Sequence, residues 1–302
     1  MDTRHLELLR ELAERGSVTA VAQATFRTPS AVSQQLKAAQ REFGMRLVEP
    51  SGRGLRLTEA GRLLADGGAS VAAAIERVQA EWDAFRGGPA GTVTIAALPS
   101  AATFLFAGAI RELAGSAITL RFSDFDIAEA EFAGLAADSD IVIAHSLAGP
   151  RPAGTERLTV VSLAREPLDV AMAADHPLTV RPALTAADVV DAEWIGVPEG
   201  FPFDSVLRAI EQATSAELRI AQRLRDNRLI ESLVASGRQL AILPRFTTPT
   251  DCGLVLRPLT DIPSTRHVSA IMRPDKAERL SVQRVLGALL AVAADVQTRH
   301  TG

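Results

Sequence analysis

The stretch TPSAVSQQLKAAQREFG, Thr28 to Gly44, arranges its polar groups by spacing. At about 100° per residue, Val32, Leu36, Ala39 and Phe43 share one stripe, while Ser30, Gln34, Lys37 and Arg41 fall near the opposite side. Hydroxyl, amide, ammonium and guanidinium groups at helical spacing can hydrogen-bond polar edges and hold anions. An ordinary solvated helix face has the same composition, so the context must decide. Thr28 suits the N-cap, Pro29 the first helical position and Gly44 the stop.

A second group lies further along. In LPSAAT, Ser100 and Thr103 flank Ala101 at a strand-to-helix turn, where free N–H groups could receive an anion. No Lys or Arg stands near this turn in the sequence, which leaves the helix N-terminus as the expected anion site. VPEGFPF ends another strand and offers Phe201 and Phe203, and His145 closes DIVIAH. As a single histidine, His145 could equally be structural. His176 belongs to a turn, DHPL.

The five His and one Cys show no metal-ligand spacing, so neither metal nor cofactor is expected. SDFD and DSD cluster carboxylates that read as solvated turns, and no nucleophile or paired base accompanies them. An enzyme is therefore not expected. Cys252, the sole cysteine, excludes an intrachain disulfide and reads as an inert thiol in a reducing, cytoplasmic setting.

These groups need elements to position them. The first 45 residues give three short helices, about 3–14, 18–25 and 29–43, the last two separated by roughly four residues, which is helix-turn-helix spacing. Ser51 to Gly54 marks a turn between two short extended pieces, a β-hairpin wing. Thr58 then caps a long helix to about Phe85, with Leu64, Val71, Val78 and Phe85 seven apart and Gly68, Ile75 and Trp82 between them. This is a coiled-coil seam, although a core helix within one chain shows the same stripe. Gly67 and Gly68 each cost a helix about 1 kcal/mol relative to Ala, so a packing partner is expected.

From Arg27 to Arg62 there are seven Lys or Arg against three Glu, on a chain of net charge −4. Such local basicity is an electrostatic footprint. GGPAG, residues 87–91, reads as a hinge. It opens an uncharged run of 24 residues to Ile110, but Pro89, Pro99 and four glycines argue against a membrane span. The start of the chain carries acids and lacks the apolar core of a secretory leader. Beyond the hinge, strands alternate with helices in two series, which predicts two α/β lobes with largely parallel sheets.

In this order and spacing, AERGSVTAVAQA, TPSAVSQQLKAAQREFG and LVEPSGRGLRLTEAG resemble the LysR-type transcriptional regulators. DSDIVIAH, HPLTV and LIESLVASGRQLAILP extend the resemblance over essentially the whole chain. It implies an N-terminal all-α winged helix-turn-helix (1–58), a linker helix that dimerises (59–86), a hinge (87–91) and a two-lobed, periplasmic-binding-protein-like α/β effector domain (92–302). Lobe I is expected at 92–160 and 267–302, and lobe II at 161–266.

The resemblance further implies a homodimer that assembles to a homotetramer, double-stranded promoter DNA and RNA polymerase as partners, and a small-molecule effector. Thr28, Pro29, Ser30, Ser33, Gln34, Lys37 and Arg41 on the second helix of the motif, with Arg53 and Arg56 on the wing, are the expected DNA contacts. In the major groove Gln34 could pair with adenine and Lys37 or Arg41 with guanine or phosphate. Ser100, Ala101, Thr103, His145, Phe201 and Phe203 are the expected effector contacts; Leu64, Val71, Ile75, Val78 and Trp82 are the expected dimer seam. Two departures stand out. The family's Phe-x-Arg after the recognition helix is replaced by Val48-Glu49-Pro50, and its Leu-Glu pair by Ala39 and Gln40. Competing classes are a small-molecule binding protein and a two-lobed enzyme without a DNA role.

Overall fold

The computed structural model describes residues 1–302 except Arg53, Asp126, Ala128 and Gly302 and the side chains of Ala130 and Thr301. Asp2 caps α1 (Thr3–Arg15) by accepting from the Arg4 N–H, and Gly16 ends it in the left-handed region. Ser17 caps α2 (Val18–Ala24), and Thr28 caps α3 (Pro29–Phe43) by accepting from the Ala31 N–H. Val32, Leu36 and Ala39 are buried with Leu8, Leu9, Leu12, Val21 and Ala22, so the apolar stripe of α3 closes the N-terminal core. The wing is an antiparallel hairpin of β1 (Val48–Ser51) and β2 (Gly54–Leu57).

The linker helix α4 (Glu59–Phe85) packs closely on this domain. A Cβ at Gly61 would lie 2.1 Å from the Leu47 carbonyl oxygen, and one at Gly68 would lie 2.7 Å from that of Leu6. The partner for Gly68 is thus α1 of the same chain, whereas a Cβ at Gly67 would meet nothing within 4 Å. Part of the expected seam also makes contacts within the chain. Leu64 packs against the N-terminal core and Val71 is half-buried, whereas Leu63, Ile75, Val78, Trp82 and Phe85 point outward. The apolar stripe is divided along its length: its first half is covered within the chain, and its second half is open.

Lobe I comprises β3 (Ala90–Ala97), α5 (Pro99–Glu112), β4 (Ala117–Asp124), a 3-10 helix at Glu129–Ala137 and β5 (Ile141–Ser146). The 15-residue β6 (Thr159–Ala173) leads into lobe II. There follow α6 (Ala186–Val189), β7 (Glu193–Gly196), α7 (Asp204–Thr214), β8 (Arg219–Arg223), α8 (Asn227–Ser236), β9 (Leu240–Pro244) and β10 (Leu254–Arg257). β11 (Thr265–Met272) returns to lobe I, which α9 (Pro274–Glu278) and α10 (Leu280–Thr301) complete.

The strand order is β4-β3-β5-β11-β6-β9-β7-β8, with β10 also on β6. Only β4-β3-β5 and β8-β7-β9 are parallel; the strands that join them are antiparallel. β6 pairs with β11 up to Pro167 and with β9 and β10 from Leu168. The crossings therefore lie at 167/168 and near 264/265, within a few residues of the bounds expected at about 160/161 and 266/267. Arg165-Glu166-Pro167 interrupts the apolar pattern, yet it stays within one continuous strand. α10 is apolar enough over Leu280–His300 to pass as a membrane span, but its Val282, Val285, Leu289 and Ala293 are buried in the lobe I core.

Ion pairs join the N-terminal domain to lobe I. Arg273 reaches Glu11 (3.1 Å), Glu14 (3.0 Å) and Asp275 (3.1 Å), and Arg10 also holds Asp275 (2.9 Å). From α9, Lys276 pairs with Asp140 (2.7 Å) and Glu278 with Arg77 of α4 (3.2 Å). One short helix thus contacts α1, the lobe I sheet and the linker helix. Asp140 is buried rather than a solvated turn residue. Burial opposes its charge, but Lys276 and Thr94 outweigh that and hold its carboxyl below the usual range.

Candidate nucleic-acid interface and ligand cleft

The polar face of α3 is open. Ser30, Gln34, Lys37 and Arg41 are exposed and Ser33 is half-buried. Among the described residues, Gln34, Lys37 and Arg41 form no hydrogen bond or ion pair, and with Gln40, Met45 and Arg46 they line a shallow concavity. Their exposure is a consequence of helix period: the opposite stripe is fully engaged in the core.

Neighbouring residues have other roles. Thr28 spends its hydroxyl on the cap, and Pro29 occupies the first turn. Gln35 accepts from Arg27 (2.6 Å) and donates to the Arg4 carbonyl (2.8 Å), tying α3 to α1. Glu42 does the same through His5 (2.5 Å) and the N-terminus, and those bonds lower its carboxyl. On the wing, Arg56 stands opposite Glu49 and pairs with it at 2.7 Å, while Arg53 lies outside the described residues. Phe26 went unnoticed in the sequence. It sits in the turn before α3 with φ +53° and 98% of its surface exposed, a conformation that non-glycine residues rarely adopt.

The cleft between the lobes holds a cavity of about 470 Å³. Ser100, Thr103, His145, Phe201 and Phe203 all line it. Ala101 does not: it is fully buried in the lobe I core, on the inward face of α5. The anion site expected at the α5 N-terminus is also altered. The N–H groups of Ala101 and Ala102 both donate to the Leu98 carbonyl (3.0 Å), and Thr103 Oγ1 donates to the Pro99 carbonyl (2.9 Å).

A basic residue does reach this turn, from 166 positions away. Arg266 Nη1 donates to Ser100 Oγ (2.9 Å) and to His145 Nδ1 (3.2 Å). Antiparallel register sets Arg266 on β11 directly across from Glu166 on β6, and Glu166 Oε2 accepts from both Nε (2.8 Å) and Nη2 (2.5 Å). Neither side chain is exposed. Glu166 Oε1 accepts the Phe246 N–H (2.8 Å) just beyond β9, where the chain leaves lobe II and packs on lobe I. A buried pair with every strong bond satisfied is tolerated where a lone charge is not.

Aromatic rings continue across the cleft. Phe125 meets Phe132 (5.4 Å), Phe132 meets His145 (5.7 Å), and His145 meets Phe203 edge-on (5.8 Å). The Arg266 guanidinium lies 5.4 Å from the Phe203 ring and that of Arg225 5.2 Å from Phe201. Burial, with the Arg266 charge beside it, pushes the His145 imidazole well below its ordinary 6.5. Burial also raises the Glu231 carboxyl at the rim. Cys252 is exposed and does not line the cavity, and the Asp251 carboxylate pushes its thiol up, away from reactivity. Among the described residues no His, Cys, Asp and Glu group could hold a metal ion.

Known proteins match this architecture. Residues 3–62 match the model of bacterial regulatory helix-turn-helix proteins of the lysR family, and residues 86–294 that of the LysR substrate binding domain. The transcriptional dual regulator GltC of Bacillus subtilis is 25% identical over 92% of each chain. The small neutral protease regulatory protein of Streptomyces coelicolor is 28% identical over 90% of this chain and 86% of its own. Full-length OxyR from Pseudomonas aeruginosa shares the fold, with a TM-score of 0.65 at 19% identity over 97% of this chain and 94% of that one. The chain belongs to the LysR family of transcriptional regulators, with an N-terminal helix-turn-helix for DNA and a C-terminal domain for an effector.

Proposed function

We propose that the open face of α3 reads promoter DNA in the major groove, with Ser30, Ser33, Gln34 and Lys37 at base edges and Arg41 at phosphate. The observation that carries this is the set of unbonded amide and cationic groups on the one α3 face that the core leaves free. Arg56, already paired with Glu49, acts at the wing through its partly shared charge. Two chains pair through the outward half of the α4 stripe, Ile75, Val78 and Trp82, and dimers join into a tetramer in the cytoplasm, where the bound complex meets RNA polymerase. A small anionic effector in the cleft between the lobes shifts the spacing of the DNA-binding domains by favouring one lobe arrangement over another. Arg41→Ala tests the phosphate role. It weakens binding to all duplexes alike and lowers the salt slope by about one; an unchanged slope in a fluorescence-anisotropy titration removes Arg41 from the interface.

A further inference from the structure

The floor of the cleft is built to donate hydrogen bonds. A guanidinium has no acceptor, so the bond from Arg266 makes His145 Nδ1 an acceptor and puts the imidazole proton on Nε2. Burial keeps that ring neutral. Nε2 has no partner among the described residues, although His145 is only 6% exposed and lines the cavity. Ser100 Oγ likewise accepts from Arg266, and among the described residues its own O–H has no acceptor. One arginine therefore sets the polarity of two neighbouring donors. Glu166, bonded to its other side, cancels its charge.

The remaining lining fixes the other half of the complement. Phe125, Phe132, Phe201 and Phe203 supply ring faces around those donors. At the rim, Arg225 and Arg228 bring positive charge, and Arg225 pairs with no carboxylate among the described residues. Asp226 spends its Oδ1 on the α8 cap, and burial disfavours the charge of Glu231. Arg225 is therefore the rim cation placed to face one negative charge. A polyanion would bring further negative charge beside Asp226 and Glu231 at the rim.

Resting on the cleft being the effector site, we propose that its ligand is a monocarboxylate on an aromatic body. The carboxylate accepts from His145 Nε2–H and Ser100 Oγ–H, and the ring lies among the four phenylalanines. The cavity volume falls within the range for small-molecule sites, about 300–1,000 Å³. His145 is then a specificity residue: an alcohol of the same shape offers one uncharged oxygen to two donors, and an ammonium offers no acceptor.

The test uses the full chain with benzoate, phenylacetate, benzyl alcohol, succinate and inorganic phosphate as probes, read by melting temperature and calorimetry. Benzoate or phenylacetate stabilises and titrates; benzyl alcohol, succinate and phosphate do not. His145→Phe and Ser100→Ala each weaken the aromatic acid by about tenfold or more, as expected for a lost bond to a charged group. His145→Gln, which keeps an N–H near the Nε2 position, retains most of the affinity, and a purely packing role would not produce that rescue. Val197→Trp, which fills the cavity, abolishes binding. The ligand class is overturned if neither aromatic acid binds, if succinate or phosphate binds as well, or if His145→Phe keeps full affinity. Succinate or phosphate that binds and is lost on Val197→Trp overturns the class while leaving the cleft as the effector site. An aromatic acid that binds Val197→Trp unchanged overturns the cleft itself, and the proposal with it.

Discussion

At the residue scale, the cleft depends on a charge that local sequence does not disclose. Ser100, Phe201 and Phe203 were legible because strand-to-helix turns and strand ends announce themselves through Pro, Gly and alternation. His145 was legible as a strand terminus, but its role was not. Arg266 and Glu166 lie 100 residues apart and meet only through strand register, so a search for a basic residue near LPSAAT could not find them. One consequence concerns pH. His145 resists protonation in the folded chain, whereas the unfolded chain takes up a proton near 6.5. Its contribution to stability is therefore complete above 6.5 and is lost as pH falls below it. His176 and His267 are shifted the same way, so the comparison must isolate His145. Melting temperatures of the chain and of His145→Phe from pH 8 to pH 5 should converge as pH falls; curves that stay parallel would show that burial of His145 is not linked to protonation.

At the element scale, helix periods and caps were read well because each cue is local. Thr28, Thr58 and Gly44 sit where Ser/Thr caps and a left-handed stop belong, and α3 spans the expected residues. The seam on α4 was half legible. A seven-residue repeat reveals an apolar stripe but not which partner covers it, and α1 takes Leu64 and the face at Gly68. The break of the last helix at Arg279, and the ionic role of α9, depend on contacts with α1 and α4 that no local pattern shows. Two outcomes are expected at this scale. Ile75→Asp with Trp82→Asp should drive the chain toward monomer in sedimentation equilibrium, since both side chains are outward and apolar; an unchanged mass would place the dimer contact elsewhere. Arg273→Met takes the shared cation from Glu11, Glu14 and Asp275; because Arg15 and Arg10 still hold Glu11 and Asp275, the loss should be about 1–3 kcal/mol. Urea denaturation that shows no loss would make the cluster dispensable.

At the scale of the whole molecule, a basic helical face on an acidic chain is joined to a cavity between two lobes crossed by continuous strands. The two ends meet through α9, which is anchored to the lobe I sheet by Lys276 and to α1 and α4 by Asp275 and Glu278. Lobe motion that moves α9 must strain those pairs or carry the DNA-binding domain with it. The central claim, that the free face of α3 reads sequence, is tested most directly by Gln34→Ala in the full chain. Binding is measured by fluorescence anisotropy on a duplex enriched by in vitro selection and on random duplex at the same salt. A lost base contact should cost about 1–3 kcal/mol on the selected site and leave random DNA almost unchanged. Equal loss on both duplexes, or no loss on either, would contradict the reading role of this face.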